Sequence, residues 1–63
     1  MLQVFIRTNS SDKPFIETVS NFSFDAKGNL SLFDKGKRWF FPYTNLQYVF
    51  IDDLEADYNG RNN

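Results

Sequence analysis

Two turn signals divide an aromatic-rich stretch into three segments that can pair sensibly in only one way. The segments are Phe22 to Phe24, Leu30 to Leu32 and Trp39 to Phe41, separated by Asp25 to Gly28 and by Asp34 to Gly36. Asp can bond back to its own backbone, and Gly accepts the positive φ that tight turns need. If Ala26, Lys27 and Gly28 form a three-residue loop, Asp25 faces Asn29, Phe24 faces Leu30 and Phe22 faces Leu32. If Lys35 and Gly36 form the next tip, Asp34 faces Lys37, Leu32 faces Trp39 and Leu30 faces Phe41. Six apolar side chains then share one face. A slip of one residue in either pairing would set them against polar neighbours. Turn chemistry and hydrophobic pattern thus predict the same antiparallel meander, with Phe22, Phe24, Trp39 and Phe41 on its core face.

The rest of the chain extends this sheet. Leu2, Val4 and Ile6 alternate with Gln3, Phe5 and Arg7, which predicts a strand over residues 2–8. Residues 9–14 are polar and end in Pro14, so they read as a loop. A second strand starts near Phe15, with Ile16, Thr18, Ser20, Phe22 and Phe24 on one face. Val19 is out of phase, which points to a bulge near Asn21. Pro42 ends the strand that carries Trp39, and residues 42–45 have the length of one 3₁₀ turn. Leu46 to Ile51 forms the last strand. Its faces, Leu46/Tyr48/Phe50 and Gln47/Val49/Ile51, are both largely apolar, so one covers the core and the other needs a second cover. The expected fold is all-β: a five-stranded antiparallel meander, either an SH3-like barrel or a strongly bent sheet. Residues 1–51 form a single small domain and residues 52–63 an acidic, polar tail. A helical turn over residues 52–58, with Leu54 and Tyr58 in i, i+4 relation, and disorder of the final residues are expected there.

Sixty-three residues bury only about 60% of their unfolded surface, so stability is marginal. With no Cys and no His, neither a disulfide nor a structural zinc site can reinforce the fold. Eight Phe, three Tyr and one Trp leave dense aromatic packing and self-association as the available means. The net charge of −1 conceals an asymmetry. Residues 1–51 carry six cationic and four anionic side chains, whereas residues 52–63 carry Arg61 against Asp52, Asp53, Glu55 and Asp57. The start of the chain has neither the basic lead nor the length of a signal peptide or membrane span. A cytoplasmic protein, intact from Met1 and without membrane attachment, is expected.

The run Phe41-Pro42-Tyr43-Thr44-Asn45-Leu46-Gln47-Tyr48-Val49 resembles the SH3-like small barrel. In that family a Pro, a Ser or Asn and a Tyr sit at a 3₁₀ turn before the final strand. The resemblance implies that Val49 and Ile51 point inward and Tyr48 outward. It also makes Pro42, Tyr43 and Tyr48 the equivalents of groove residues. The chain has neither the family's Ala-Leu-Tyr-Asp-Tyr-like opening nor its acidic loop before a Trp. The resemblance therefore implies topology rather than proline-peptide binding.

Chemistry has little to work with. With no His and no Cys, acid–base work would fall to carboxylates. The one adjacent pair, Asp52 and Asp53, would point to opposite faces of a strand. With Glu55 and Asp57 these residues match no calcium-loop spacing. No catalytic residue, metal ligand or cofactor is expected, and the chain reads as a non-enzyme. Two binding readings remain. Core packing leaves Phe5, Phe33, Phe40, Tyr43 and Tyr48 without an obvious place, and surplus aromatics mark interfaces. A protein partner, with a homodimer as the simplest form, is the first expectation. The second is nucleic acid, held through Arg7, Lys35, Lys37 and Arg38 with aromatic rings beside them. The isoelectric point near 5.0 argues against that reading. Chains this small also occur in phages and mobile elements, where they act on larger host proteins.

Overall fold

In the computed structural model of the chain, residues 1–55 are described. They form six strands: β1 (Leu2–Thr8), β2 (Phe15–Val19), β3 (Asn21–Phe24), β4 (Leu30–Asp34), β5 (Lys37–Phe41) and β6 (Leu46–Asp53). A 3₁₀ turn at Tyr43–Asn45 precedes β6. The strands make two antiparallel three-stranded sheets, ordered β2-β1-β6 and β3-β4-β5. Among the described residues no helix is long and apolar enough to cross a membrane.

The second sheet has the register that its turns dictate. Phe22 faces Leu32, Phe24 faces Leu30, Leu30 faces Phe41, Leu32 faces Trp39, and Asp34 faces Lys37. At the first turn, the Asp25 carboxylate accepts bonds from the backbone N–H of Lys27 (2.9 Å) and Asn29 (3.0 Å) and from the Asn29 side-chain amide (2.8 Å). Gly28 sits at φ +96°. At the second turn both Lys35 (φ 49°) and Gly36 (φ 81°) are left-handed, the backbone of a two-residue hairpin whose twist suits its strands. Asn29 also joins the first turn to the segment before β6, its side-chain oxygen accepting from the Tyr43 N–H at 2.8 Å.

The expected second strand is divided in two. Val19 is buried and ends β2, while Asn21 begins β3. Between them Ser20 bonds the Phe33 carbonyl through both its N–H (3.0 Å) and its hydroxyl (2.9 Å). This residue turns the chain from the edge of one sheet to the edge of the other. The interruption also separates Ile16 and Thr18 from Phe22 and Phe24, which the simple alternation had put on one face. Ile16 and Thr18 pair with Phe5 and Gln3, on the outer side of the first sheet. The sheets bend against each other at this corner and do not close into a barrel.

The core lies between the two central strands. Val4 and Ile6 of β1, Leu30 and Leu32 of β4, and Val19 are completely buried. Leu2, Phe15, Trp39, Phe41, Leu46, Val49 and Ile51 pack around them. Phe15 links the layers, meeting Phe41 edge-on at 5.1 Å and Trp39 at 6.2 Å. Phe22 and Phe24 do not join this core, contrary to the expectation from their face. They lie on the edge strand β3, beyond the cover of the first sheet, and Phe24 is 47% exposed. Their rings meet each other edge to face at 6.1 Å. The correct face of a sheet is therefore not sufficient for burial, because an edge strand also needs an opposing layer that reaches it.

β6 pairs with β1 from Thr8↔Leu46 to Leu2↔Asp53 and so runs two residues past its expected end at Ile51. A bulge at Gln47 shifts the register between Arg7 and Thr8. This places Leu46 inward together with Val49 and Ile51 and leaves Tyr48 and Phe50 outward. The Leu54 N–H then bonds the Met1 carbonyl at 3.0 Å, and Glu55 meets the Met1 ammonium at 3.0 Å. Asp52 and Asp53 are strand residues, so the expected helical turn does not start there. Its remainder, including Tyr58, and the expected disorder of the chain end fall outside the described residues.

Candidate protein-interaction surface

The outer face of the first sheet follows from strand alternation. Val4 and Ile6 point inward, so Gln3, Phe5 and Arg7 point outward on β1. On β6 the register sets Phe50 opposite Phe5 and Tyr48 opposite Arg7. Three rings meet there. Phe5 stacks on Tyr48 at 6.1 Å with 9° between planes, Phe5 and Phe50 lie 6.3 Å apart, and Tyr48 and Phe50 lie 5.4 Å apart. All these separations are within the range of favourable aromatic pairing. Ile16, directly across from Phe5 on β2, extends the cluster. Phe5 is half-buried by its neighbours, but Phe50 is 64% exposed, and Ile16 and Tyr48 are exposed as well. This is a contiguous apolar surface on a three-stranded sheet.

The outer face of the second sheet is built differently. Arg38 lies between Phe33 and Phe40, its guanidinium carbon 5.9 Å from each ring centroid. It also donates to the Ser31 hydroxyl at 3.3 Å. The guanidinium lies over the middle of the sheet, and Ser31 is buried on what is otherwise the wet side. Lys35 and Lys37 are exposed at the neighbouring hairpin tip.

The five aromatic residues predicted as surplus therefore fall into three places rather than one face. Phe5 and Tyr48 are on the first sheet, Phe33 and Phe40 on the second, and Tyr43 is exposed on the 3₁₀ turn beside Pro42. Of the four predicted cations, Lys35, Lys37 and Arg38 share the β4–β5 hairpin. Arg7 belongs to the other sheet. It borders a shallow, open and polar depression of about 470 Å³ formed with Asn9, Ser10, Asp12 and Gln47. Phe50 and Ile16 were missed. The signal for Phe50 was its same-face relation to Tyr48. Ile16 was misplaced by the alternation that breaks at Ser20.

Asp25 has a carboxyl held below its ordinary value, chiefly by the Asn29 side-chain bond and then by the turn amides. This is turn chemistry on an exposed loop and not a poised acid or base. Among the described residues no cluster of three or more Asp or Glu could hold a metal ion. Asp57, the fourth carboxylate of the acidic segment, lies outside them. No family model, no curated protein and no solved structure matches the chain.

Proposed function

We propose that the protein is a non-catalytic interaction module that binds another protein surface through the aromatic outer face of its first sheet. The observation that carries this reading is the mutual stacking of Phe5, Tyr48 and Phe50 in a cluster whose most exposed ring is 64% accessible. Exposed contiguous apolar surface is uncommon on isolated small proteins, and aromatic rings are enriched where proteins meet. Tyr and Phe also supply large contact areas at low cost in side-chain entropy. The 3₁₀ turn at Tyr43–Asn45 lies where residues 42–45 led one to expect it, directly before the strand that carries Tyr48.

The reading is tested by immobilising the chain and retaining proteins from its native cell at low salt and at ~1 M salt, where exposed charge interactions are screened. Proteins held by the native chain at high salt and released by a Phe5→Ser/Phe50→Ser variant are expected. Equal retention by both chains contradicts the reading.

A second reading is supported by the β4–β5 hairpin, where Lys35, Lys37 and Arg38 adjoin Phe33 and Phe40. Cations for phosphates and rings for bases would make this a nucleic-acid contact. Its mark is steep salt dependence, read by fluorescence anisotropy of labelled single- and double-stranded DNA and RNA. Absence of binding at low salt removes it.

A further inference from the structure

The four sheet edges are not equally protected, and the difference selects a partner for the aromatic face. β5 carries Lys37 and Arg38, and β2 carries Glu17 and turns away at Ser20. β3 has four residues, and its Phe22 N–H is taken by the side-chain oxygen of Asn21 at 2.8 Å. Charge, shortness and local capping are the usual means of keeping an edge from pairing. Among the described residues β6 is the longest strand; its charges, Asp52 and Asp53, stand at its end, and its stretch Leu46–Ile51 carries no charge and no proline. Among the described residues it has a strand on one side only.

The hydrogen-bond alternation shows what this edge offers. The Leu54 N–H bonds the Met1 carbonyl, so Met1 and Leu54 form a hydrogen-bonded pair. Counting along the register, Phe5 and Phe50 form another, and the pair Ile6 and Val49 between them is of the other type. The N–H and C=O of Val49 therefore point away from β1, to the edge that no strand of the described residues covers, and so do those of Ile51.

Resting on the reading of the first sheet as the binding face, we infer that its partner is a second copy of this chain, joined β6 to β6 about a two-fold axis through Val49. Directly opposed residues of an antiparallel pair share a face, so only axes that pair like-facing residues are allowed. The axis at Val49 sets Tyr48 against Phe50 of the second copy and Phe50 against its Tyr48. The two aromatic clusters merge into one six-ring surface across a six-stranded sheet, while the Val49 backbones exchange two bonds. The acidic ends stay apart: Asp52 of one copy lies about 20 Å along the strand from Asp52 of the other. An axis at Ile51 would bring them to about 7 Å along the strand and set Phe50 against Asp52 of the second copy in place of Tyr48. The self-pairing is isologous and closes at two copies, because the described residues of each chain have one such edge.

The test is sedimentation equilibrium of the full chain up to millimolar concentration, beside a synthetic chain N-methylated at Val49 and a Phe50→Lys variant. N-methylation removes one edge donor without changing a side chain or a bond to β1. A dimeric native chain, with both variants at least tenfold weaker in association and unchanged in circular dichroism, is expected. A native chain that stays monomeric overturns the second copy as partner, and high-salt retention of other proteins then judges the face itself. A dimer unaffected by N-methylation overturns the β6 edge.

Discussion

The seam between the sheets and the outer face of the first sheet divide the apolar residues by kind. Among the described residues every completely buried side chain is aliphatic: Val4, Ile6, Val19, Leu30 and Leu32. The stacked rings of Phe5, Tyr48 and Phe50 are outside, and Phe22 and Phe24 stand at an uncovered edge. A chain so rich in aromatics suggests a core of rings, yet two thin three-stranded sheets leave a narrow seam that Val and Leu fill more closely. Trp39, Phe41 and Phe15 seal its rim. The rings of Tyr48 and Phe50 stay exposed on the outer face.

This division can be broken most decisively from inside. Leu32→Ala should cost about 2–5 kcal/mol, a large share of the stability of so small a domain, whereas Phe24→Ala on the same sheet face should cost well under half as much. Urea unfolding of the two variants checks this. Equal losses would mean that Phe24 is core after all. Next comes the hairpin that fixes the second sheet. Gly36→Val forces a branched side chain into φ +81° and should cost about 1–2 kcal/mol, although a Cβ there meets nothing within 4 Å. Urea unfolding measures the loss, and the open space around position 36 leaves backbone strain as its cause.

Acid gives a smaller effect. The Asp25 carboxyl is depressed by its turn partners, so it ionises more readily folded than unfolded. Its contribution is present above the ordinary Asp range and is lost as pH falls through the lower folded value. Thermal unfolding should show a shallower loss of stability in acid for Asp25→Asn than for the native chain. Smallest of all is the change in stability for Phe50→Ser, within about 0.5 kcal/mol because the ring is mostly in solvent. Its association should nevertheless fall, and further than that of Phe40→Ser, whose ring shares Arg38 with Phe33.

The second sheet was legible because its information is local. Asp25, Gly28 and Gly36 set loop lengths, and each loop length sets a register that the flanking apolar residues satisfy. The face of β6 was legible only through the run around Pro42 and Tyr48, since both faces of that strand are apolar. What escaped was non-local. Nothing in the neighbourhood of Ser20 announces that its N–H and hydroxyl will both find the Phe33 carbonyl and turn the strand into another sheet. Nor does local pattern reveal the cover over Phe22 and Phe24, which depends on how far the first sheet extends.

Site-specific photo-cross-linking tests the central claim most directly, with a benzophenone side chain placed at position 50 in one chain and at position 27, on the exposed first turn, in another. Protein adducts formed from position 50, to a second copy or to another chain, and not from position 27 are predicted. Adducts from neither position, or equally from both, would contradict the assignment of the first sheet's aromatic face as the interaction surface.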